Sequence, residues 1–132
     1  MSEKDLQIKC NQWIEYAYPE LSELFYFHAF QGLSFPTKYK FAIISQAKKL
    51  GGLKKNILDF QFNKNNGKYS GLFIELKIES PFKLDGKLKK DDHLEAQYNT
   101  IQLLLNEGHY ACFVWSFDQF KKIVTDYMEC RL

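Results

Sequence analysis

A chain of 132 residues is long enough for one domain with one real core, and an apolar fraction of 45% excludes a disordered or low-complexity chain. No apolar run reaches the length of a membrane span and no secretory signal opens the chain, so a soluble, intracellular protein is expected. The net charge of +2 excludes a strongly basic or acidic protein, but the charge is unevenly spread: from Lys38 to Lys55 there are six lysines and no acid.

Cys10, Cys112 and Cys130 are odd in number and scattered, without CxxC spacing, which argues against zinc and against a disulfide framework. His28, His93 and His109 are equally dispersed and read as packing or surface residues. Arg131 is the one basic residue that is not a lysine.

In chain order, residues 3–17 predict an amphipathic helix, with Leu6, Cys10, Trp13, Ile14 and Ala17 on one stripe and Tyr18-Pro19 ending it. Glu3 and Gln7 extend the core-facing line at its N-terminal end, a strange place for polar groups unless the site there is polar. Residues 24–30 predict a buried strand and 31–36 a loop. Residues 38–50 predict a helix with Phe41, Ile44 and Leu50 turned inward and Gly51-Gly52 closing it. Strands are expected at 56–62 and 72–79, joined by the turn-rich "NKNNGKYSG". A polar loop follows, then a helix over 93–106 carrying Leu94, Ile101, Leu104 and Leu105, a strand over 109–115 and a last helix over 117–130. The order α-β-α-β-β-α-β-α, with no repeat and no linker, implies a single α/β domain with a mixed sheet.

The chemistry lies in the pair of strands. Side chains alternate across a strand. In 72–78, Leu72, Ile74, Leu76 and Ile78 share one face, and Phe73, Glu75 and Lys77 the other. In 56–62, Leu58, Phe60 and Phe62 oppose Ile57, Asp59 and Gln61. A two-residue Asn66-Gly67 turn would pair Asp59 with Ile74 and set the two apolar faces against each other. A three-residue turn, Asn66-Gly67-Lys68, pairs Asp59 with Glu75 and brings Asp59, Glu75 and Lys77 together, as a bulge also could. That register is the expected one. Two opposed carboxylates repel. Lys77 could compensate as a plain ion pair. Mg²⁺ would do so better, because it prefers oxygen and takes one or two carboxylates plus waters and substrate phosphates.

These residues resemble a known family. Asp59 followed by Glu75-Leu76-Lys77 is similar to the D…(D/E)xK signature of the PD-(D/E)xK nuclease superfamily, and within it to the VRR-NUC family of small standalone phage and bacterial nucleases. "EKDLQ" resembles that family's opening E-x-x-x-Q, "WIEYAYPEL" its YPEL segment, and "KKLGGLKKNILDF" its G-x-x-x-G-x-PD segment. "YSGLFIELK", "LEAQ" and "NEGHYACFVWSFDQ" resemble the later motifs in the same order. The resemblance implies a restriction-endonuclease-like fold over residues 1–132. It implies that Asp59 and Glu75 ligate Mg²⁺ or Mn²⁺ with the Leu76 carbonyl, that Lys77 is the catalytic lysine, that Glu3 stands beside the metal through water, and that Gln97 orients the active-site groups, with Gln7 a lesser candidate. Two departures stand out: Leu58 replaces the family's proline and Asn56 its glycine, and the family's Asn-Gly-Gly loop is only partly visible in "FQGLS".

The expected activity is therefore metal-dependent endonucleolytic hydrolysis of DNA phosphodiesters, in the cytoplasm of a bacterial cell or a phage-infected host. Lys48, Lys49, Lys54, Lys55, Lys87, Lys89 and Lys90 are the expected phosphate contacts. Lysines read charge rather than base identity, so structure-selective binding is expected, with branched DNA such as a Holliday junction as a substrate; cutting two strands would require a homodimer. Two other readings are a nucleic-acid-binding module that keeps the fold without catalysis, and a small viral protein that binds another protein.

Overall fold

Ser2 accepts a hydrogen bond from the Asp5 N–H at 3.1 Å and the Asp5 carboxylate returns one to the Ser2 N–H at 3.2 Å, a reciprocal cap that starts the first helix at Glu3. The computed structural model describes residues 1–29 and 33–132. Its elements are α1 (Glu3–Ala17), β1 (Phe25–Phe27), α2 (Thr37–Lys49), β2 (Phe60–Phe62), β3 (Leu72–Leu76), α3 (Asp92–Asn106), β4 (Tyr110–Val114) and α4 (Phe117–Met128), with a short 3₁₀ turn at Pro19–Leu21. Among the described residues no helix is long and apolar enough to cross a membrane.

The four strands form one sheet in the order β1-β2-β3-β4. The first two pairings are antiparallel and β3 runs parallel to β4, with α3 as the crossover that a parallel pair needs. Helices cover both faces. On one side α1 and α4 bury Leu6, Cys10, Ile14, Phe120, Val124 and Tyr127 against Phe60, Phe62, Leu72 and Ile74. Phe60 is at the centre, its ring 4.8 Å from Phe27 and 5.2 Å edge-on from Phe120. On the other side α3 packs Ile101 against Ala111 and Phe113, and Leu58 joins this second cluster. With helices on both faces, β3 is buried along most of its length.

Several expectations are corrected. The strand expected over 24–30 is only Phe25–Phe27, and its last residue, Phe30, lies outside the described residues together with part of the "FQGLS" loop. The strand expected over 56–62 begins at Phe60. Asn56 adopts a left-handed φ of 63° and the chain bends again at Asp59, so Leu58 crosses to the α3 side instead of sharing a face with Phe60. The strand expected over 72–79 stops at Leu76, and Ile78 is exposed rather than buried with Leu76.

The turn is also longer than expected. Residues 63–71 form an ordered loop in which the Asn66 side chain accepts from the N–H groups of Lys68 and Tyr69. The Tyr127 hydroxyl donates to the Lys64 carbonyl at 2.5 Å, so α4 holds the loop in place. The register nevertheless pairs Phe60 with Ile74 and Phe62 with Leu72. The largest correction is α2: Phe41 and Leu50, expected inward, are exposed, and none of its residues is buried.

Candidate active site

The register of β2 and β3, extended by one residue, sets Asp59 opposite Glu75. The ladder does not continue there. Instead the Asp59 carboxylate accepts the Leu76 N–H at 2.8 Å, standing in for the backbone carbonyl that a longer β2 would have supplied. The Asp59 carbonyl accepts the His28 N–H at 2.8 Å, so the end of β1 fixes the same residue from behind. Asp59 is thus held at its backbone and its side chain before any ligand arrives.

Glu75 points to the α3 side of the sheet and is only 5% exposed. Burial pushes its carboxyl well above the ordinary range, and the adjacent Asp59 carboxyl pushes it further; Lys77 opposes this and Glu3 adds to it. The Lys77 ammonium is 3.9 Å from Glu75 Oε2, the outer limit of an ion pair, so it compensates the paired carboxyls only in part. The Lys77 N–H donates to the Val114 carbonyl at 2.8 Å, which carries the β3–β4 pairing one residue past the strand and aims the side chain at Glu75.

Glu3 lies at the rim. It lines a cavity of about 400 Å³ together with Gln7, His28, Asp59 and Leu76. It also lines a second cavity of about 240 Å³ with Lys77, Asp91 and His93. The first turn of α1 therefore stands between the two halves of the polar cluster. Glu3 itself is exposed and Gln7 half-buried, so the line that carries them inward at Leu6 and Cys10 reaches solvent at this end.

Gln97 is 5% exposed on α3. Its amide nitrogen is 3.2 Å from His93 Nε2, one helical turn earlier, and its buried Oε1 has no hydrogen-bond partner among the described residues. An unpaired buried amide oxygen is costly, and here it belongs to a residue whose neighbour His93 shares a cavity with Lys77.

The lysines fall into two groups on either side of the carboxylates. Lys54 lines a cavity of about 470 Å³ that also holds Asp59, His28 and Gln61. Lys48 and Lys55 line the adjoining groove with it. On the other side Lys89 shares the cavity of Lys77 and pairs with Glu79 at 3.8 Å. Lys49, Lys87 and Lys90 are exposed. His28 and His93 are residues that sequence reasoning missed. His93 had a readable signal, its i, i+4 spacing from Gln97. His28 had none, because its position beside Asp59 depends on the β1–β2 pairing.

The donor set suits a hard divalent cation. Among the described residues no cluster of three or more His, Cys, Asp and Glu is placed to hold a metal. Two carboxylates are nevertheless what Mg²⁺ commonly takes from a protein, the remainder being water and phosphate oxygens. Asp59 and Glu75 are such a pair of carboxyls.

No protein-family model matches the sequence, and no curated protein matches it. A solved structure does: a "VRR_NUC domain protein", 20% identical, matched over 98% of this chain and 89% of that one, with a TM-score of 0.61. The chain has the VRR-NUC fold. The likeness covers nearly the whole of this chain. At 20% identity the likeness is one of fold.

Proposed function

We propose that this VRR-NUC fold is a metal-dependent nuclease that hydrolyses DNA phosphodiesters. The observation that carries the reading is the convergence of Asp59, Glu75 and Lys77 at the end of β3, where two carboxyls share one buried corner with a single ammonium. A structural role would be met by an apolar pair at lower cost, since burying charge without full compensation is unfavourable.

In this reading Asp59, Glu75 and the Leu76 carbonyl hold Mg²⁺ or Mn²⁺, with Glu3 at the rim reaching it through water. The bound cation supplies Lewis-acid charge to the scissile phosphate. Lys77 orients the attacking water, pairs at the limit of ion-pair distance with Glu75, and faces the charge that builds on the phosphate oxygens. Gln97 is a positioning residue: its free Oε1 accepts from water or from the Lys77 ammonium once substrate has entered. Lys48, Lys49, Lys54 and Lys55 on one side, and Lys87, Lys89 and Lys90 on the other, hold backbone phosphates without reading base identity. Selection is then by DNA shape, and cleavage of both strands of a branched substrate needs two copies.

The test uses labelled duplex, single strand, flap and four-way junction with Mg²⁺, Mn²⁺ or EDTA. Cleavage that requires the metal and disappears in Lys77→Ala supports the reading. Binding without cleavage in every metal would leave only a nucleic-acid-binding module, and neither binding nor cleavage would overturn both.

A further inference from the structure

α2 has 13 residues and none of them is buried. An isolated helix of that length is marginal in water unless a face of it is covered. Its large side chains stand in solvent: Phe41 is 81% exposed, and Tyr39, two residues earlier and so on the opposite side of the helix, 53%. The lysines Lys38, Lys40, Lys48 and Lys49 lie on the same helix, Lys54 and Lys55 follow it, and the sequence has no acid between Glu23 and Asp59.

The helix also forms one wall of a groove. Lys40, Ile44 and Lys48 face Leu53, Lys54 and Lys55 across a volume of about 430 Å³. The groove thus has an apolar floor and four ammonium groups along its walls. Leu53 and Lys54 belong as well to the cavity that holds Asp59, so the groove opens into the candidate active site.

Charge and aromaticity together select the occupant. A second copy docking through the same groove would set four lysines against four, with no acid in the segment to separate them. An apolar peptide would leave the ammonium groups uncompensated. A fully paired duplex would meet the lysines but keeps its bases stacked inside, leaving Phe41 in water. An unpaired strand satisfies both features, with phosphates on the lysines and a base face on the Phe41 ring. We infer that α2 and its groove bind an unpaired nucleic-acid strand, with Phe41 as the stacking platform and Lys40, Lys48, Lys54 and Lys55 following the backbone toward Asp59. This deepens the nuclease reading by naming what enters the site, and rests on it for the strand's destination.

The test is fluorescence anisotropy in EDTA with labelled oligothymidine and a blunt duplex of equal length. Phe41→Ala should weaken oligothymidine binding roughly 5- to 100-fold and duplex binding less than about twofold. Phe41→Trp should bind as the parent does, and Phe41→Leu, which stays apolar, should be as weak as Phe41→Ala. Unchanged binding in Phe41→Leu, equal losses on strand and duplex, or no oligothymidine binding by the parent would overturn the inference. So would a parent dimer that Phe41→Ala splits into monomers, which would make a second copy the occupant. Cleavage in Mg²⁺ or Mn²⁺ is scored separately. A parent that binds oligothymidine through Phe41 but cuts nothing would overturn the nuclease reading alone. A metal-dependent nuclease indifferent to Phe41 would overturn this one alone.

Discussion

The end of β3 and helix α2 are linked by the cavities that Leu53 and Lys54 line, and are built on opposite plans. At β3, ionisable groups are buried where an apolar core would be cheaper, and backbone hydrogen bonds from Leu76, His28 and Lys77 lock them in place. At α2, large apolar rings stand in water among lysines, and none of the helix is buried. Each breaks the ordinary rule of burial in its own direction. The first pattern concentrates electrostatic free energy at a fixed point; the second leaves a surface whose complement lies outside the chain. A fixed site fed by an open, basic surface divides chemistry from capture.

Truncation should separate the two regions most sharply in stability. Phe60 is fully buried between Phe27 and Phe120, so Phe60→Ala should cost about 3–5 kcal/mol in urea unfolding. Loss of only a few tenths would mean that the two-layer packing around Phe60 is wrong.

The same division should appear in kinetics. Lys77→Ala should lower the cleavage rate by about 10²–10³ while leaving DNA affinity nearly intact, since a group facing developing charge acts mainly in the transition state. Lys54→Ala should leave the rate at saturation unchanged, weaken binding a few-fold, and reduce the slope of log affinity against log salt by about 1. Equal effects of both variants on affinity would place Lys77 among the phosphate contacts instead of beside the reacting atoms.

How much of this is legible in the sequence follows from how far each determinant lies along the chain. The cap at Ser2 and the stripe through Leu6, Cys10 and Ile14 are local, and α1 begins and ends where periodicity puts it. Strand alternation placed Glu75 and Lys77 on one side, and the pairing of Phe60 with Ile74 carries Asp59 to Glu75 as expected. The route differed: Asn66 and Tyr127 shape a longer loop than a tight turn, with the same register. Leu58 was misplaced because a single left-handed residue, Asn56, reverses the alternation that a continuous strand would keep. The exposure of Phe41 was not legible at all. Amphipathic spacing shows that a helix has an apolar face, but not whether the chain supplies something to cover it. The family resemblance was carried by motif order, and a solved structure of the same fold at 20% identity accords with it.

A gentler probe of the buried site is pH. Glu75 is held above its ordinary value, to about 9, by burial and by Asp59. Its folded-state pKa is raised, so the folded protein keeps a proton that the unfolded chain releases above about 4.5. The associated stability is fully present below that unfolded value and is lost as pH rises toward 9. Metal-free protein should therefore melt at progressively lower temperature from pH 5 to 9, as followed by circular dichroism. Glu75→Gln should flatten that slope, and Mg²⁺ or Mn²⁺ should restore stability chiefly at the alkaline end. A parent whose melting temperature is flat across this window would show that Asp59 and Glu75 do not share a buried corner.

The smallest effect closes the comparison from the α2 side. Phe41→Ala removes a ring that is already mostly in water, so urea unfolding should change by less than about 0.5 kcal/mol. The same kind of substitution at Phe60 removes a ring with no exposure. Two phenylalanines in one chain, truncated alike, should then differ several-fold in cost. If Phe41→Ala instead destabilises by 2 kcal/mol or more (on the order of a core truncation), α2 is covered in solution, and the surface to which capture is ascribed is already occupied.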